Sequence, residues 1–219
     1  MNLEFVLRFL SLIAKNNNRE WFEKNKSTYL EAKQYFEDFV VKFFDELLPF
    51  NPELRNINPR KLPFRIYRDV RFSKDKRPYK TNMGCGFSSK GKLVQEPGYY
   101  IHIEPQKSFF AGGIYMPSSE YLAKVRQEID YNGDELERIF NDKKFQHWYK
   151  DFEVVDKLKT APKGYPKDHV HIDWLQHKSF IVSHSFSDEE VVNKNFIRQI
   201  TGASIAMKPL ITFLKTAIA

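Results

Sequence analysis

The chain has 219 residues, of which 42% are hydrophobic and 16% aromatic, so its composition excludes a disordered protein and supports a fold with a sizeable core. A single cysteine, Cys85, excludes an intrachain disulfide and fits a reducing compartment. The sequence has no apolar run long enough to cross a bilayer, and Glu4 and Arg8 interrupt the N-terminal apolar run. We therefore expect a cytoplasmic protein that does not associate with membranes.

Helical periodicity fills the first 50 residues. Apolar side chains at steps of three and four predict a helix over residues 3–15. Asn17, with Glu20 three residues later, matches a capping box, which predicts a second helix that begins there and ends near Pro49. We interpret the aromatic stripe of this helix as core and not as a cofactor site.

From Pro63 onward the hydrophobic period changes to two, which predicts strands. Residues 64–72 alternate, with Ile66, Val70 and Phe72 on one side, although Arg68 also falls on that side. Further strands are predicted over residues 82–88, 99–104, 108–115 and 178–186. Three residues separate the second and third of these four strands, which predicts a hairpin.

Helices are predicted again in the remaining segments. One is capped at Ser118, residues 134–149 hold one or two short helices, and residues 188–219 are helical with breaks or kinks at Gly202 and Pro209. Helices at both ends with strands between them predict an α+β fold, in which a mainly antiparallel central sheet is flanked by N-terminal and C-terminal helices. The sequence has no repeat or linker, so we expect a single domain that spans residues 1–219.

The net charge of +7 is concentrated in one segment. Residues 59–80, here called the basic block, contain nine basic and two acidic side chains, whereas the rest of the chain is balanced. A local excess indicates a specific partner that carries a phosphate or a carboxylate. The acidic Asp69 either holds an arginine in place or acts as a base. The predicted anion-binding residues of this block are Arg65, Arg68, Arg71, Lys74, Lys76 and Lys80. The alternative is a solvated sheet face laced with salt bridges.

The predicted strand over residues 99–104 carries a second candidate site. Tyr100, His102 and Glu104 share one face of it, because side chains alternate along a strand. A histidine and a carboxylate two residues apart form an acid/base pair or supply two metal ligands. The alternative is an ordinary polar sheet face. If this strand and residues 64–72 were neighbours, the arginines and His102 would share one pocket.

The loop over residues 157–173 is long enough to be functional, and it contains the segment DHVHID. An extended chain would place His169, His171 and Asp173 on one side, as metal ligands require. No cysteine or recognised ligand spacing supports a metal, so a surface loop is the favoured interpretation and no metal ligand is assigned. His169 is retained as an acid/base candidate. Cys85 is either a nucleophile or a small buried hydrophobe, and the second is favoured.

Four blocks of the sequence resemble an uncharacterised conserved microbial family, a domain of unknown function that extends over nearly the whole chain. The signatures are N-N-R-x-W-F, R-D-x-R-F-S-K-D-K-x-P-Y-K, G-Y-Y-I-H-I-E-P and A-P-K-G-Y-x-x-D-H, and the second is the most specific. The resemblance implies no activity and no cofactor. It marks as characteristic most of the candidates above and adds further positions, namely Asp75, Tyr79, Lys163, Asp168 and Lys178. Lys163 thereby joins the anion-binding candidates. His171 departs from the family pattern, which further weakens the metal interpretation.

Three functions remain open on the sequence alone, and whether the protein is an enzyme stays undecided. The leading hypothesis is a basic anion-binding site for a phosphorylated or carboxylated ligand, with Asp69, His102, Glu104 or His169 as acid/base candidates. The first alternative is a non-catalytic nucleic-acid-binding module, in which Tyr67, Tyr79 and Tyr99 stack on bases. The second alternative is a protein-interaction domain whose basic block pairs with acidic residues of its own helices.

Overall fold

The computed structural model of the protein describes residues 1–91 and 95–219. Those residues form eight α-helices and a four-stranded antiparallel sheet, which confirms the predicted α+β fold. The helices are α1 (Leu3–Lys15), α2 (Arg19–Lys24), α3 (Lys26–Leu47), α4 (Ser119–Asn141), α5 (Lys143–Trp148), α6 (Ile172–Leu175), α7 (Asp188–Val192) and α8 (Phe196–Ile218). The strands, in sheet order, are β1 (Met83–Phe87), β2 (Gly98–Ile103), β3 (Ser108–Ile114) and β4 (Phe180–Phe186). None of the helices in these two ranges combines the length and the hydropathy that crossing a bilayer requires.

Backbone contacts group the chain into two compact units. The first unit comprises Met1–Lys92, Tyr100–Phe110 and Ser185–Thr201. The second unit comprises Leu93–Tyr99, Ala111–His184 and Gly202–Ala219. The single domain over residues 1–219 stays a prediction.

Four of the five predicted strands are confirmed, and so is the hairpin of β2 and β3. Its turn is closed by the Lys107 N–H, which donates to the Glu104 carbonyl oxygen at 3.0 Å. Gln106 takes a left-handed φ of 62°, and its N–H donates to Asp188 Oδ1 at 2.8 Å. This turn fixes the end of β2, where the polar face of the strand terminates in Glu104.

The strand predicted over residues 64–72 is not formed. Residues 64–72, all of which lie in the described part of the chain, form no strand of the sheet and make one isolated bridge, between Tyr67 and Tyr79. The reason is Arg68, which breaks the alternation and bonds forward along the chain to Asp75 and to the Arg77 carbonyl oxygen. The chain therefore folds into a loop over residues 67–79, here called the arginine loop, whose ends pair through Tyr67 and Tyr79.

The second predicted helix is also corrected. Asn18, not Asn17, caps its start by accepting a hydrogen bond from the Trp21 N–H at 2.9 Å, and Asn25 divides the helix into α2 and α3. Asn17 cannot act as the cap because its side chain bonds the backbone of Tyr79. The start of α2 is thus determined by a contact far along the chain.

Aromatic side chains of α3 fill the core of the first unit. Phe43 meets Phe87 of β1 and Phe110 of β3 edge-on, with ring centroids 5.4 and 5.7 Å apart. On β2, Ile101 and Ile103 are fully buried. Because successive side chains of a strand point to opposite faces, the residues of β2 that alternate with these isoleucines lie on its other face.

In the second unit, α4 carries a kink at Asn132, where φ is −126°. The kink lies beside Gly133, whose missing side chain leaves room for the ring of His171. The predicted cap at Ser118 is confirmed, since its hydroxyl accepts from the Tyr121 N–H. Neither Gly202 nor Pro209, where breaks or kinks are predicted, breaks the helix, because α8 continues through both.

Candidate active site

The polar face of β2 carries a continuous chain of hydrogen bonds, here called the relay. The Tyr100 hydroxyl lies 3.0 Å from His102 Nδ1, and His102 Nε2 lies 3.0 Å from Glu104 Oε2. The Thr81 hydroxyl donates to the other carboxylate oxygen, Glu104 Oε1, at 2.6 Å. Four side chains from two segments of the first unit are therefore held in one line.

Local packing positions the relay. The ring of Phe109 stacks on the His102 imidazole with centroids 4.6 Å apart and an interplanar angle of 14°. The Tyr100 hydroxyl lies directly over Gly84 of β1, where a Cβ atom would collide with the phenol oxygen. The lack of a side chain at Gly84 leaves room for the Tyr100 hydroxyl at the position from which it bonds His102.

The relay is largely shielded from water, with the side chains of His102 and Glu104 only 13% and 21% exposed. Burial lowers the pKa of His102 despite the opposing effect of Glu104, so its neutral form is favoured. Burial acts to raise the pKa of Glu104, but hydrogen bonds from Thr81 and His102 outweigh it and the pKa falls below its ordinary value. Burial raises the pKa of Tyr100 to about 12, so it keeps its proton.

These protonation states define the hydrogen-bond directions. Glu104 is a carboxylate and can only accept, so neutral His102 donates from Nε2 to it. Nδ1 then accepts the hydroxyl proton of Tyr100. The arrangement is hydroxyl, imidazole and carboxylate in sequence, which is the order of a general acid–base unit.

Lys80 of the basic block influences the relay electrostatically. Its Nζ lies 5.5 Å from the centre of the Phe64 ring, and that ring lies 6.2 Å from the ring of Tyr100. The positive charge of Lys80 also contributes to the lowered pKa of His102. An anionic group beside the relay would therefore meet Lys80.

Three arginines of the basic block pair instead with the two aspartates inside it. Arg68 and Arg77 both bind Asp75 Oδ2 at 2.7 Å, and Arg71 binds Asp69 Oδ2 at 2.7 Å. The hydrogen bonds from Arg71 lower the pKa of Asp69, so this residue holds an arginine in place and is a poor base. Of the two roles considered for Asp69, the geometry favours the first.

Residues 64–72 do not pair with β2, although the ring of Phe64 contacts the ring of Tyr100. The Phe64 N–H donates to the Gly84 carbonyl oxygen at 2.9 Å, so the segment lies along β1, and β1 separates it from β2. Arg65 is exposed on this segment, as is Lys74 in the arginine loop. The single pocket in which arginines meet His102 is therefore not formed by adjacent strands.

Lys76 lies in a different concave site. Together with Arg19 and Arg77 it lines a groove of about 520 Å³, whose walls also include two asparagines and Val70. Its Nζ donates to the Val70 carbonyl oxygen at 3.0 Å. The cations of this groove, here called the basic groove, belong to the start of α2 and to the arginine loop.

The remaining candidates, His169 and Lys163, belong to the second unit. The segment DHVHID is not extended, since it turns and enters α6. His169 Nε2 contacts Asp130 Oδ1 at 2.9 Å, and its Nδ1 accepts the His171 N–H at 3.0 Å. Both ring nitrogens are thus engaged in holding the loop, which favours a structural role. Lys163 is exposed beside Gly164, whose φ is 95°.

Among residues 1–91 and 95–219, no group of three or more histidine, cysteine or acidic side chains could hold a metal ion. In the relay, both nitrogens of His102 already have hydrogen-bond partners. Cys85 is fully buried on β1, as the favoured interpretation of it requires.

Sequence reasoning missed several contributors. Tyr100 was recognised on the face of His102 but was not assigned a role, although strand alternation was a sufficient signal for it. Thr81 and Arg19 gave no local signal, because only the fold brings them to Glu104 and to the basic groove. Two of the tyrosines predicted to stack on bases, Tyr79 and Tyr99, are buried and cannot do so.

Comparison with curated proteins and with solved structures found no match to this chain. A family profile described as "Conserved hypothetical protein (DUF2461)" matches residues 5–213, which confirms the resemblance seen in the sequence blocks. The matched range includes both the relay and the arginine loop. The chain therefore belongs to the DUF2461 family of conserved hypothetical proteins.

Proposed function

We propose that the protein is an enzyme that catalyses proton transfer on a small substrate carrying a phosphate or a carboxylate. The observation that carries this proposal is the unbroken hydrogen-bond chain from Tyr100 through His102 to Glu104. Tyr100 is the group that contacts the substrate, His102 stores the proton, and Glu104 orients the imidazole. In this order of groups, a histidine activates a hydroxyl and a carboxylate orients the histidine.

The proton movements balance within the relay. As a substrate proton passes to the Tyr100 oxygen, the proton of Tyr100 passes to His102 Nδ1. The imidazolium that forms is stabilised by Glu104, which already accepts from Nε2. The reverse movement returns a proton to the substrate at another atom or to its leaving group, and His102 becomes neutral again. Because the pKa of Tyr100 is raised to about 12, the two transfers are coupled and no free phenolate accumulates.

Positive charge near the relay supports the proposal that the substrate is an anion. Lys80 lies close enough to the relay to lower the pKa of His102, and a bound anion would be attracted to the same ammonium group. The basic block as a whole attracts anions towards this part of the first unit. An anion bound at Lys80 would raise the pKa of His102, which favours the protonated intermediate that the mechanism needs.

The test uses a defined mixture of sugar phosphates, nucleotides, acyl phosphates and hydroxy acids, followed by mass spectrometry. Wild-type protein should convert at least one component, and His102→Gln should slow that conversion by about a hundredfold or more. Tyr100→Phe should have an effect of the same order, whereas Glu189→Gln on the exposed surface of α7 is a control that should have none. No conversion by the wild type, or equal conversion by His102→Gln, would refute the proposal.

A further inference from the structure

The tip of the arginine loop exposes an aromatic ring. Phe72 is 95% exposed, the largest exposed fraction of the large apolar side chains in the described residues. The alternation of residues 64–72 places Phe72 on the apolar side of the predicted strand, but that strand is not formed and the ring is exposed. The guanidinium carbon of Arg71 lies 5.8 Å from the centre of this ring. An exposed ring at the tip of a charged loop is a typical anchor for a binding partner.

The loop that carries this ring is braced internally. Arg68 Nη1 bonds Asp75 at 2.7 Å and the Arg77 carbonyl oxygen at 3.1 Å, and Lys76 Nζ bonds the Val70 carbonyl oxygen at 3.0 Å. Each of these contacts joins the outgoing and returning halves of the loop. The exposed position of Phe72 is therefore fixed before any partner binds, which reduces the entropy lost on binding.

The base of the loop is anchored to α2. The ring of Tyr79 stacks on Phe22 with centroids 4.0 Å apart, and Asn17 bonds both backbone groups of Tyr79. Arg19 of α2 lines the basic groove together with Lys76 and Arg77 of the loop. Val70, two residues before Phe72, lines the same groove, so the ring and the groove are within about 7 Å along the backbone.

The charge around the ring is positive. Residues 65–80 contain seven basic and two acidic side chains. Both acidic side chains are used in the ion pairs of the loop, while Lys74 is exposed near the tip. An aromatic platform next to a groove lined with cations is the arrangement that binds a single strand of nucleic acid, in which a base stacks and phosphates follow the groove.

We propose that the arginine loop binds single-stranded nucleic acid, with an unpaired base stacked on Phe72 and backbone phosphates bound by Arg19 and Lys76 in the basic groove, where Arg77 stays paired with Asp75. Stacking on a loop tip requires a base that is not paired, so a duplex is disfavoured. This function goes beyond the relay and does not depend on it.

Fluorescence anisotropy with labelled oligo(dT) and oligo(U) of about a dozen nucleotides tests the proposal. Phe72→Ala should weaken binding by about 5- to 150-fold, because stacking contributes about 1–3 kcal/mol per base. Phe72→Trp should retain binding. Tyr131→Ala, which removes a 72% exposed ring on α4, is the matched control and should have no effect. Since all these rings are exposed, none of the variants should fail to fold.

Salt dependence tests the groove. Arg19→Ala and Lys76→Ala should each reduce the slope of log K against log salt by about 0.7, the value for one phosphate contact on a single strand. His102→Gln should bind as the wild type does, so a failure of the proposed enzyme leaves this result intact. No binding of either oligonucleotide at low salt, or equal binding by Phe72→Ala, would overturn the proposal. So would binding to phosphatidylserine vesicles, lost in Phe72→Ala, without any binding to oligonucleotides.

Discussion

Asn17 binds both backbone polar groups of Tyr79. Its Nδ2 donates to the Tyr79 carbonyl oxygen at 2.9 Å, and its Oδ1 accepts the Tyr79 N–H at 3.0 Å. One side chain thus joins the turn before α2 to the end of the arginine loop, across 62 positions of sequence. Residues that precede Tyr79 in the chain line the groove that we propose for nucleic acid. Of the two residues that follow it, Thr81 donates a hydrogen bond to Glu104 of the relay, and the charge of Lys80 contributes to the lowered pKa of His102.

Replacing Asn17 should therefore destabilise the protein more than an ordinary surface change. Asn17→Ala leaves the N–H and the C=O of Tyr79, a buried residue, without these partners. We expect a loss of about 1–3 kcal/mol in the free energy of unfolding, measured by urea denaturation. The exposed Asn56→Ala is the control and should change it little. Equal stability of Asn17→Ala and wild type would show that the pair is not structurally important.

Removing the Glu104 charge should lower the pKa of His102 further. In the wild type, burial lowers this pKa and the carboxylate of Glu104 partly raises it again. Glu104→Gln removes only the raising effect, so NMR titration of the His102 imidazole should give a lower pKa than in the wild type. Glu189→Gln on α7 is exposed and serves as the control. A higher pKa in Glu104→Gln would contradict the proposed electrostatics of the relay.

The lowered pKa of His102 also predicts how stability varies with pH. A histidine with a depressed pKa binds its proton more readily in the unfolded chain, so unfolding is favoured as acid is added. Its stabilising contribution is complete above the unfolded value near 6.5 and is lost as the pH falls from there through the folded pKa. The buried His177 acts in the same direction.

Urea denaturation at a series of pH values measures this effect. His102→Gln should reduce, but not remove, the rise of the unfolding free energy with pH in that window, because His177 remains. An unchanged slope in His102→Gln would mean that His102 does not titrate with a lowered pKa.

Gly84→Ala tests how closely Tyr100 of the relay packs against β1. The new Cβ would collide with the Tyr100 hydroxyl, so either Tyr100 or β1 must move. We expect destabilisation of about 1–3 kcal/mol. In a Tyr100→Phe background the phenol oxygen is absent, so the same substitution should cost less, and the difference is the coupling energy of the pair. Equal costs in the two backgrounds would show that the hydroxyl does not occupy this position.

Alternation along one strand was enough to predict the relay face, since Tyr100, His102 and Glu104 are spaced by two residues within β2 or at its end. The start of α2 could not be predicted in the same way. Asn16, Asn17 and Asn18 are equally good caps by residue type, and the bond of Asn17 to Tyr79 decides between them. Local sequence carries no trace of that contact.

The arginine loop escaped prediction for a related reason. Its apolar and charged residues alternate as a strand does, but a strand needs a partner, and Arg68 finds Asp75 within the loop instead. These side-chain bonds hold the two halves of the loop together, so the backbone does not continue as a strand beside β1. The exposure of Phe72 follows from this closure and contradicts its place in the pattern.

Two glycines in the second unit should respond in opposite ways to alanine. At Gly133 a Cβ would collide with the ring of His171, which is buried, so we expect Gly133→Ala to destabilise by about 1–3 kcal/mol. At Gly202, inside α8, a Cβ would meet only the ring of Trp148 at 3.6 Å, an ordinary contact. Alanine there restricts the unfolded chain and suits a helix, so Gly202→Ala should stabilise by about 0.4–1 kcal/mol. Thermal and urea denaturation measure both. A stabilising Gly133→Ala or a destabilising Gly202→Ala would contradict the contact described for that glycine.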